Sequence, residues 1–240
     1  MKNNYKHSSK IMVYCFTGVR EVNMKYGEST FDIIYLLFAI ILGVLMIRGT
    51  KKGTAGRLMG IATLVLGIGD AFHLIPRVLN YFVDSDFTAA LGAGKLVTSI
   101  TMTVFYIIVF WIWQELYGMK TQSAKTAKIL YALAALRVVL CLFPQNHWFS
   151  NEGSVLWGII RNVPFVLIGI IIIYLFYIKK DEIKAMKNIW LLVTLSFAFY
   201  LPVAVGASIV PMLGMLMLPK TICYMIMIWT FYKYTKREKR

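Results

Sequence analysis

Residues 57–82 read RLMGIATLVLGIGDAFHLIPRVLNYF, an apolar run long enough to cross a bilayer that nevertheless holds Asp70, His73 and Arg77 in its second half. A helix needs about 20 predominantly apolar residues to span the hydrocarbon core. Other runs of comparable length and composition lie on both sides of it: 31–48, 91–116, 126–144, 155–178, 188–209 and 212–232. The sequence therefore predicts an all-α, polytopic membrane protein with seven transmembrane helices.

The composition supports one membrane domain and leaves no room for a soluble one. The chain has 240 residues, of which 59% are hydrophobic, whereas soluble domains are about 45–50% apolar. The last two runs are divided at Pro211, because proline breaks a helix and a single helix of their combined length would be excessive. We assign residues 26–233 to the membrane domain and 234–240 to a basic cytoplasmic tail.

The loops between the predicted helices differ sharply in charge. Basic residues of short loops remain on the cytoplasmic side of a membrane, so the pattern predicts the N-terminus outside and the C-terminus in the cytoplasm. It also accounts for the net charge of +15 without a nucleic-acid partner. Lys and Arg occupy the first, third and fifth loops and the tail, as Arg48, Lys51, Lys52, Arg57, Lys120, Lys125, Lys128, Lys179, Lys180, Lys184, Lys187, Lys233, Lys236, Arg237, Lys239 and Arg240.

Residues 1–25 fit this topology poorly, because they would place several lysines outside. Arg20, Glu21 and Val22 can be encoded as AGG-GAG-GTN, which has the form of a bacterial ribosome-binding site, and Met24 follows at a suitable spacing. We therefore expect an over-called start with the true first residue at Met24. A disordered basic tail is the alternative. The expected location is the bacterial cytoplasmic (inner) membrane.

Charged residues within the apolar runs are the main functional clue. A charge in a bilayer costs several kcal/mol, so such groups face partners, water or a site. Asp70, His73 and Arg77 are spaced i, i+3 and i+7, which places them on one face of a helix. Other runs add cations at similar predicted depth, in the half of the membrane away from the basic loops.

These residues predict a cavity in the outer half of the bundle with excess positive charge. Such a cavity suits an anionic or polar small molecule or a lipid headgroup, which the protein would sense or transport. Arginine favours planar bidentate partners such as carboxylate and phosphate. Asp70 is expected to pair with Lys220 or Arg77. The candidate ligand-binding residues are Asp70, His73, Arg77, Lys95, Ser99, Tyr106, Arg137, Arg161, Lys220 and Tyr224.

Structural explanations of the same residues remain open. Lys95, Arg161 and Arg77 are close enough to the outer interface for their side chains to reach it by snorkelling. Asp70, Arg137 and Lys220 are too deep for that, but they could form an ion-pair network that only fixes helix packing.

An intramembrane enzyme is a second class of function that the sequence leaves open. Asp70 and His73 could act as the acid–base pair of a metal-free intramembrane enzyme, although no nucleophile is evident. Seven-helix lipid hydrolases that hold zinc with three histidines, like the alkaline ceramidases, are a poor match because His73 is the only histidine in a predicted span. The three cysteines have no metal-ligand spacing. We predict no metal and no cofactor.

A lysine in the seventh helix also invites comparison with microbial rhodopsins. There the equivalent lysine carries retinal, and Tyr200-Leu201-Pro202 is similar to their Tyr-Pro region. The third helix of this chain lacks the counterion carboxylate that such proteins need, and Leu216 stands where an acidic residue would be expected.

Two strings carry a family resemblance. GDAFHLIPR (69–77) and GKLVTSITMTVFY (94–106) resemble an uncharacterised family of bacterial seven-helix membrane proteins. The resemblance covers the chain from about residue 26 onward. It implies the seven-helix architecture and supplies no mechanism.

Overall fold

The computed structural model describes the backbone of residues 3–150, 154–206 and 210–238, and side chains from Lys25 onward apart from Pro211. Seven α-helices and three short 3-10 helices make up this part of the chain, and it contains no strand. The α-helices are α1 Asn3–Gly49, α2 Ala55–Phe82, α3 Thr88–Tyr117, α4 Ala124–Leu142, α5 Val155–Ile178, α6 Ile189–Gly206 and α7 Met217–Glu238. The predicted all-α class is confirmed.

Six of the helices are long and apolar enough to cross a membrane, which makes this a multi-pass membrane protein. Within α1 the apolar span is Lys25–Gly49. The exception is α4, which has 19 residues and carries Lys125, Lys128 and Arg137.

The predicted boundaries agree closely with the helices. The span 155–178 coincides with α5, and the break at Pro211 separates α6 from α7. A 3-10 helix, Pro211–Leu216, precedes α7, so α7 begins later than the predicted residue 212. The helical backbone of α1 extends back to Asn3, but the side chains of residues 1–24 lie outside the described part. A start at Met24 therefore stays a prediction.

The helices form a closed ring in chain order. Each helix packs against the next one, and α7 returns to pack against both α1 and α2. A further contact joins α3 to α5. Helices α1, α2 and α7 therefore lie together on one side of the ring, and α3, α4 and α5 lie together on the other.

The tightest helix pair is α2 with α3, and glycine makes its close approach possible. A Cβ atom built on Gly94 would lie 2.1 Å from the carbonyl oxygen of Phe72 and 2.7 Å from the Cα atom of His73. The Thr98 hydroxyl donates a hydrogen bond of 2.9 Å to the carbonyl oxygen of Gly69. This contact fixes the part of α2 that carries Asp70 and His73.

The loop between α2 and α3 is acidic and exposed. The backbone N–H of Thr88 donates to Asp86 Oδ1 at 2.9 Å, which lowers the pKa of Asp86 below its usual value. Asp84 is also exposed. Both carboxylates lie at the end of the bundle where the candidate site opens.

Candidate functional site

A cavity of about 380 Å³ lies at one end of the bundle, and all seven helices contribute to its wall. Its lining comes from the second halves of α2, α4 and α6 and from the first halves of α3, α5 and α7. This is the end away from the basic loops. Eight of the predicted residues line the cavity together, namely Asp70, His73, Arg77, Lys95, Ser99, Arg137, Arg161 and Lys220.

Two predicted residues lie one layer deeper and are not part of this lining. The Tyr106 and Tyr224 hydroxyls are 3.1 Å apart and share a hydrogen bond, and Tyr106 also meets the Ser196 hydroxyl at 3.4 Å. The Tyr106 ring packs edge-on against Phe165, with centroids 5.4 Å apart, and Phe165 does line the cavity. The two tyrosines therefore support the floor of the site.

The first helix supplies two carboxylates that the sequence interpretation missed. Glu28 and Asp32 both line the cavity, so Asp70 is not its only carboxylate among the described residues. The predicted first span began at residue 31, which excluded Glu28 and left Asp32 at its edge. Their i, i+4 spacing, continued by Tyr35, is the signal that could have revealed an acidic face of α1.

Arg77 is held by α1, and not by Asp70. Its Nη2 atom donates to Glu28 Oε2 at 2.7 Å, and the Tyr81 hydroxyl donates to the same carboxylate oxygen at 2.9 Å. A role in helix packing therefore suits Arg77, because its ion pair with Glu28 joins α1 to α2 at the mouth of the cavity.

We expect the Glu28–Arg77 pair to contribute on the order of 1 kcal/mol to stability, because both side chains are partly shielded from solvent. A double-mutant cycle with Glu28→Gln and Arg77→Gln, followed by denaturant unfolding in detergent micelles, measures this coupling energy. The pair Lys187–Asp181, in which both side chains are exposed, is the matched control and should give a smaller value. Equal coupling in the two cycles would contradict a structural role for the Glu28–Arg77 pair.

Asp70 has a neutral partner. The Tyr35 hydroxyl, which is fully buried, donates to Asp70 Oδ2 at 2.7 Å. Within the described residues no direct ion pair joins Asp70 to Lys220 or to Arg77, contrary to expectation. The Lys220 ammonium lies over the Tyr200 ring, 5.1 Å from its centroid.

The opposite wall is cationic and aromatic. Arg137 is only 2% exposed, and its guanidinium carbon lies 3.3 Å from the centre of the Phe165 ring. Its Nε and Nη1 atoms are buried without a hydrogen-bond acceptor. Nearby on α5, Asn162 accepts a hydrogen bond of 2.8 Å from the Tyr200 hydroxyl.

The loop between α4 and α5 folds over this wall. Arg161 donates to Asn146 Oδ1 at 2.7 Å and stacks over the Trp148 ring at 4.3 Å. Asn146 in turn donates to carbonyl oxygens at the end of α4, including that of Leu140 at 2.8 Å. Arg161 therefore has protein partners, whereas two of the guanidinium nitrogens of Arg137 have none.

The geometry gives little support to acid–base chemistry. In the described part of the chain, no hydrogen bond joins Asp70 to His73, and His73 Nδ1 is buried without a partner. The hydroxyl of Ser99, a cavity residue, donates to the carbonyl oxygen of Lys95 at 2.8 Å and is bonded to no base among the described residues that would make it a nucleophile. No three His, Cys, Asp or Glu side chains among the described residues converge to hold a metal ion.

No protein family model, curated protein or solved structure matches this chain. The resemblance carried by residues 69–77 and 94–106 therefore stays a prediction. The helices and the cavity together describe a multi-pass, all-helical membrane protein with a charged cavity at one end of its bundle.

Proposed function

We propose that this protein binds an anionic or polar small molecule, or a lipid headgroup, in the cavity at the outer end of its bundle, and that it acts as a receptor or carrier for that ligand. The proposal places the protein in the bacterial cytoplasmic membrane with its N-terminus outside. The charge difference between the loops supports this orientation, because the cavity lies at the end with few basic residues.

The observation that carries the proposal is the state of Arg137. A cation taken out of water is costly unless an anion and hydrogen-bond acceptors compensate it. Arg137 is buried against Phe165, and two of its three guanidinium nitrogens have no acceptor within the described protein. Arg137 lines the cavity, so a carboxylate or phosphate bound there would compensate its charge.

The surroundings of Arg137 favour the same ligand chemistry. Arg161 and Lys220 line the same cavity and add positive potential where solvent is excluded, which strengthens attraction for an anion. A volume of about 380 Å³ lies at the small end of the usual range for ligand pockets. It fits a metabolite or a headgroup better than a long acyl chain.

A purely structural ion-pair network explains Arg77 but not Arg137. Arg77 has its carboxylate in Glu28, whereas no ion pair of Arg137 is found among the described residues. The intramembrane enzyme has no specific observation in its favour, because Asp70 and His73 are not joined.

The test is native mass spectrometry of the full chain purified in mild detergent, together with titration of inorganic phosphate and acetate by calorimetry. We expect an anionic species to be retained by the wild type, or one of the two probes to bind, and Arg137→Gln to lose that binding. Lys128→Gln removes a cation from an exposed position on the same helix and should bind as the wild type does. A bare wild-type protein that binds neither probe would contradict the proposal.

A further inference from the structure

The cavity wall holds two buried charged side chains of opposite sign, on opposite sides of the ring. The cation is Arg137 on α4, and the anion is Asp32 on α1. Asp32 is 7% exposed, lines the cavity, and makes no hydrogen bond or ion pair with any other described residue. Arg77 lines the same cavity, but its guanidinium donates to Glu28.

The two charges do not neutralise each other. Helix α1 packs between α2 and α7, whereas α4 packs between α3 and α5, so the cavity lies between Asp32 and Arg137. Asp70 belongs to the acidic side, where Tyr35 is its hydrogen-bond partner. Arg161 extends the cationic side, whereas Lys220 is on α7, which packs beside α1 and α2. The carboxylates of the cavity therefore lie on the α1–α2 wall, where Arg77 is bonded to Glu28, and Arg137 and Arg161 lie on the α4–α5 wall.

From this arrangement we infer that the ligand is a zwitterion, whose oxyanion binds at Arg137 and whose ammonium group binds at Asp32. The inference rests on the proposed function and names its ligand class. A simple anion would compensate Arg137 but would leave Asp32 buried and uncompensated. A simple cation would have the reverse defect. Only a molecule with both charges satisfies both walls, since an isolated buried charge is costly on either side.

Both a soluble metabolite and a lipid headgroup can have this chemistry. An amino acid carries an ammonium and a carboxylate, and an ethanolamine phospholipid carries an ammonium and a phosphate. Their shared feature is the separation of the two charges by a few bonds, which the experiment can test with matched compounds.

The experiment compares pairs of probes of which one member carries an ammonium group and the other does not. Phosphoethanolamine is paired with ethyl phosphate, and β-alanine with propionate, in calorimetric titrations of the full chain in detergent. Phosphatidylethanolamine is paired with phosphatidylglycerol in nanodiscs, with the retained lipid identified by native mass spectrometry. In at least one pair, we expect the member with the ammonium group to bind at least roughly tenfold more tightly than the member without it. The pair that shows this preference identifies the source as a metabolite or a lipid.

The variants assign the preference to Asp32. Asp32→Asn should abolish the difference between the paired probes, because it removes the carboxylate to which the ammonium group would bind. Asp84→Asn removes a carboxylate from the exposed outer loop and should retain the full preference. Circular dichroism and gel filtration of both variants check that they fold, and the wild-type comparison does not depend on either of them.

The outcomes separate the two proposals. Equal affinity for the two members of every pair, with binding still dependent on Arg137, would overturn the zwitterion and leave the anion site standing. A preference that survives Asp32→Asn would also overturn the assignment of the ammonium site. Failure of every probe and lipid to bind would overturn both proposals.

Discussion

An Arg137→Met variant is expected to be more stable than the wild type in the absence of ligand, and to be unable to bind an anion. A buried charge without a partner costs several kcal/mol of desolvation, and an apolar side chain of similar length avoids that cost. Methionine would keep the packing against Phe165 and remove two buried nitrogens that have no acceptor. Thermal unfolding in detergent and calorimetric titration of phosphate and acetate measure the two effects.

This combination of gained stability and lost binding distinguishes a functional cation from a structural one. A residue that only holds helices together would lower the melting temperature when it is replaced. Lys128→Met, on the exposed part of the same helix, is the matched control and should change neither property appreciably. A marked loss of stability in Arg137→Met would show that Arg137 has a compensating partner and would remove the main support for the ligand site.

Gly94→Ala is expected to destabilise the protein by about 3 kcal/mol, near the upper end of the usual cost of overpacking. The added methyl group would meet the backbone of Phe72 and His73 at 2.1–2.7 Å, and backbone atoms cannot move aside as a flexible side chain can. Helices α2 and α3 would have to separate, which would also displace His73 and Asp70 in the cavity wall. Chemical denaturation in micelles measures the loss of stability.

Gly27→Ala is the matched control for this prediction. It is also a helical glycine, but a Cβ atom there meets nothing within 4 Å. Alanine is the better helix former by about 0.5–1 kcal/mol, so this variant should be as stable as the wild type or slightly more so. If both alanine variants behaved alike, the close approach of α2 and α3 at Gly94 would not exist.

The helices could be predicted from the sequence because a bilayer imposes a length on every apolar run. That constraint fixed α5 to the residue and placed the break before α7 at Pro211. Helical periodicity likewise placed Asp70, His73 and Arg77 on one face, and the three do line one cavity. Neither inference required knowledge of which helices are neighbours.

The partners of the charged groups could not be predicted in the same way. Pairing depends on which helices are adjacent, and hydropathy does not encode that. Arg77 bonds to Glu28, 49 residues away, because α1 packs beside α2. Tyr106 lies seven residues after Ser99 and therefore on the same face of α3. It lies about two turns deeper, beneath the cavity, where its hydroxyl shares a hydrogen bond with that of Tyr224. Periodicity gives the direction of a side chain and not the level at which a cavity ends.

The composition of α4 has a consequence for how the chain is made. A segment of 19 residues with two lysines at its start and Arg137 in its second half partitions poorly from the translocon into lipid, because arginine and lysine are strongly disfavoured on the insertion scale, by up to about 2.5–3.5 kcal/mol each at a helix centre. The strongly apolar helices α3 and α5 pack on either side of it. Membrane integration of α4 therefore depends on contact with a neighbouring apolar helix. Nascent chains that stop after α4 should integrate this segment less completely than chains that continue through α5.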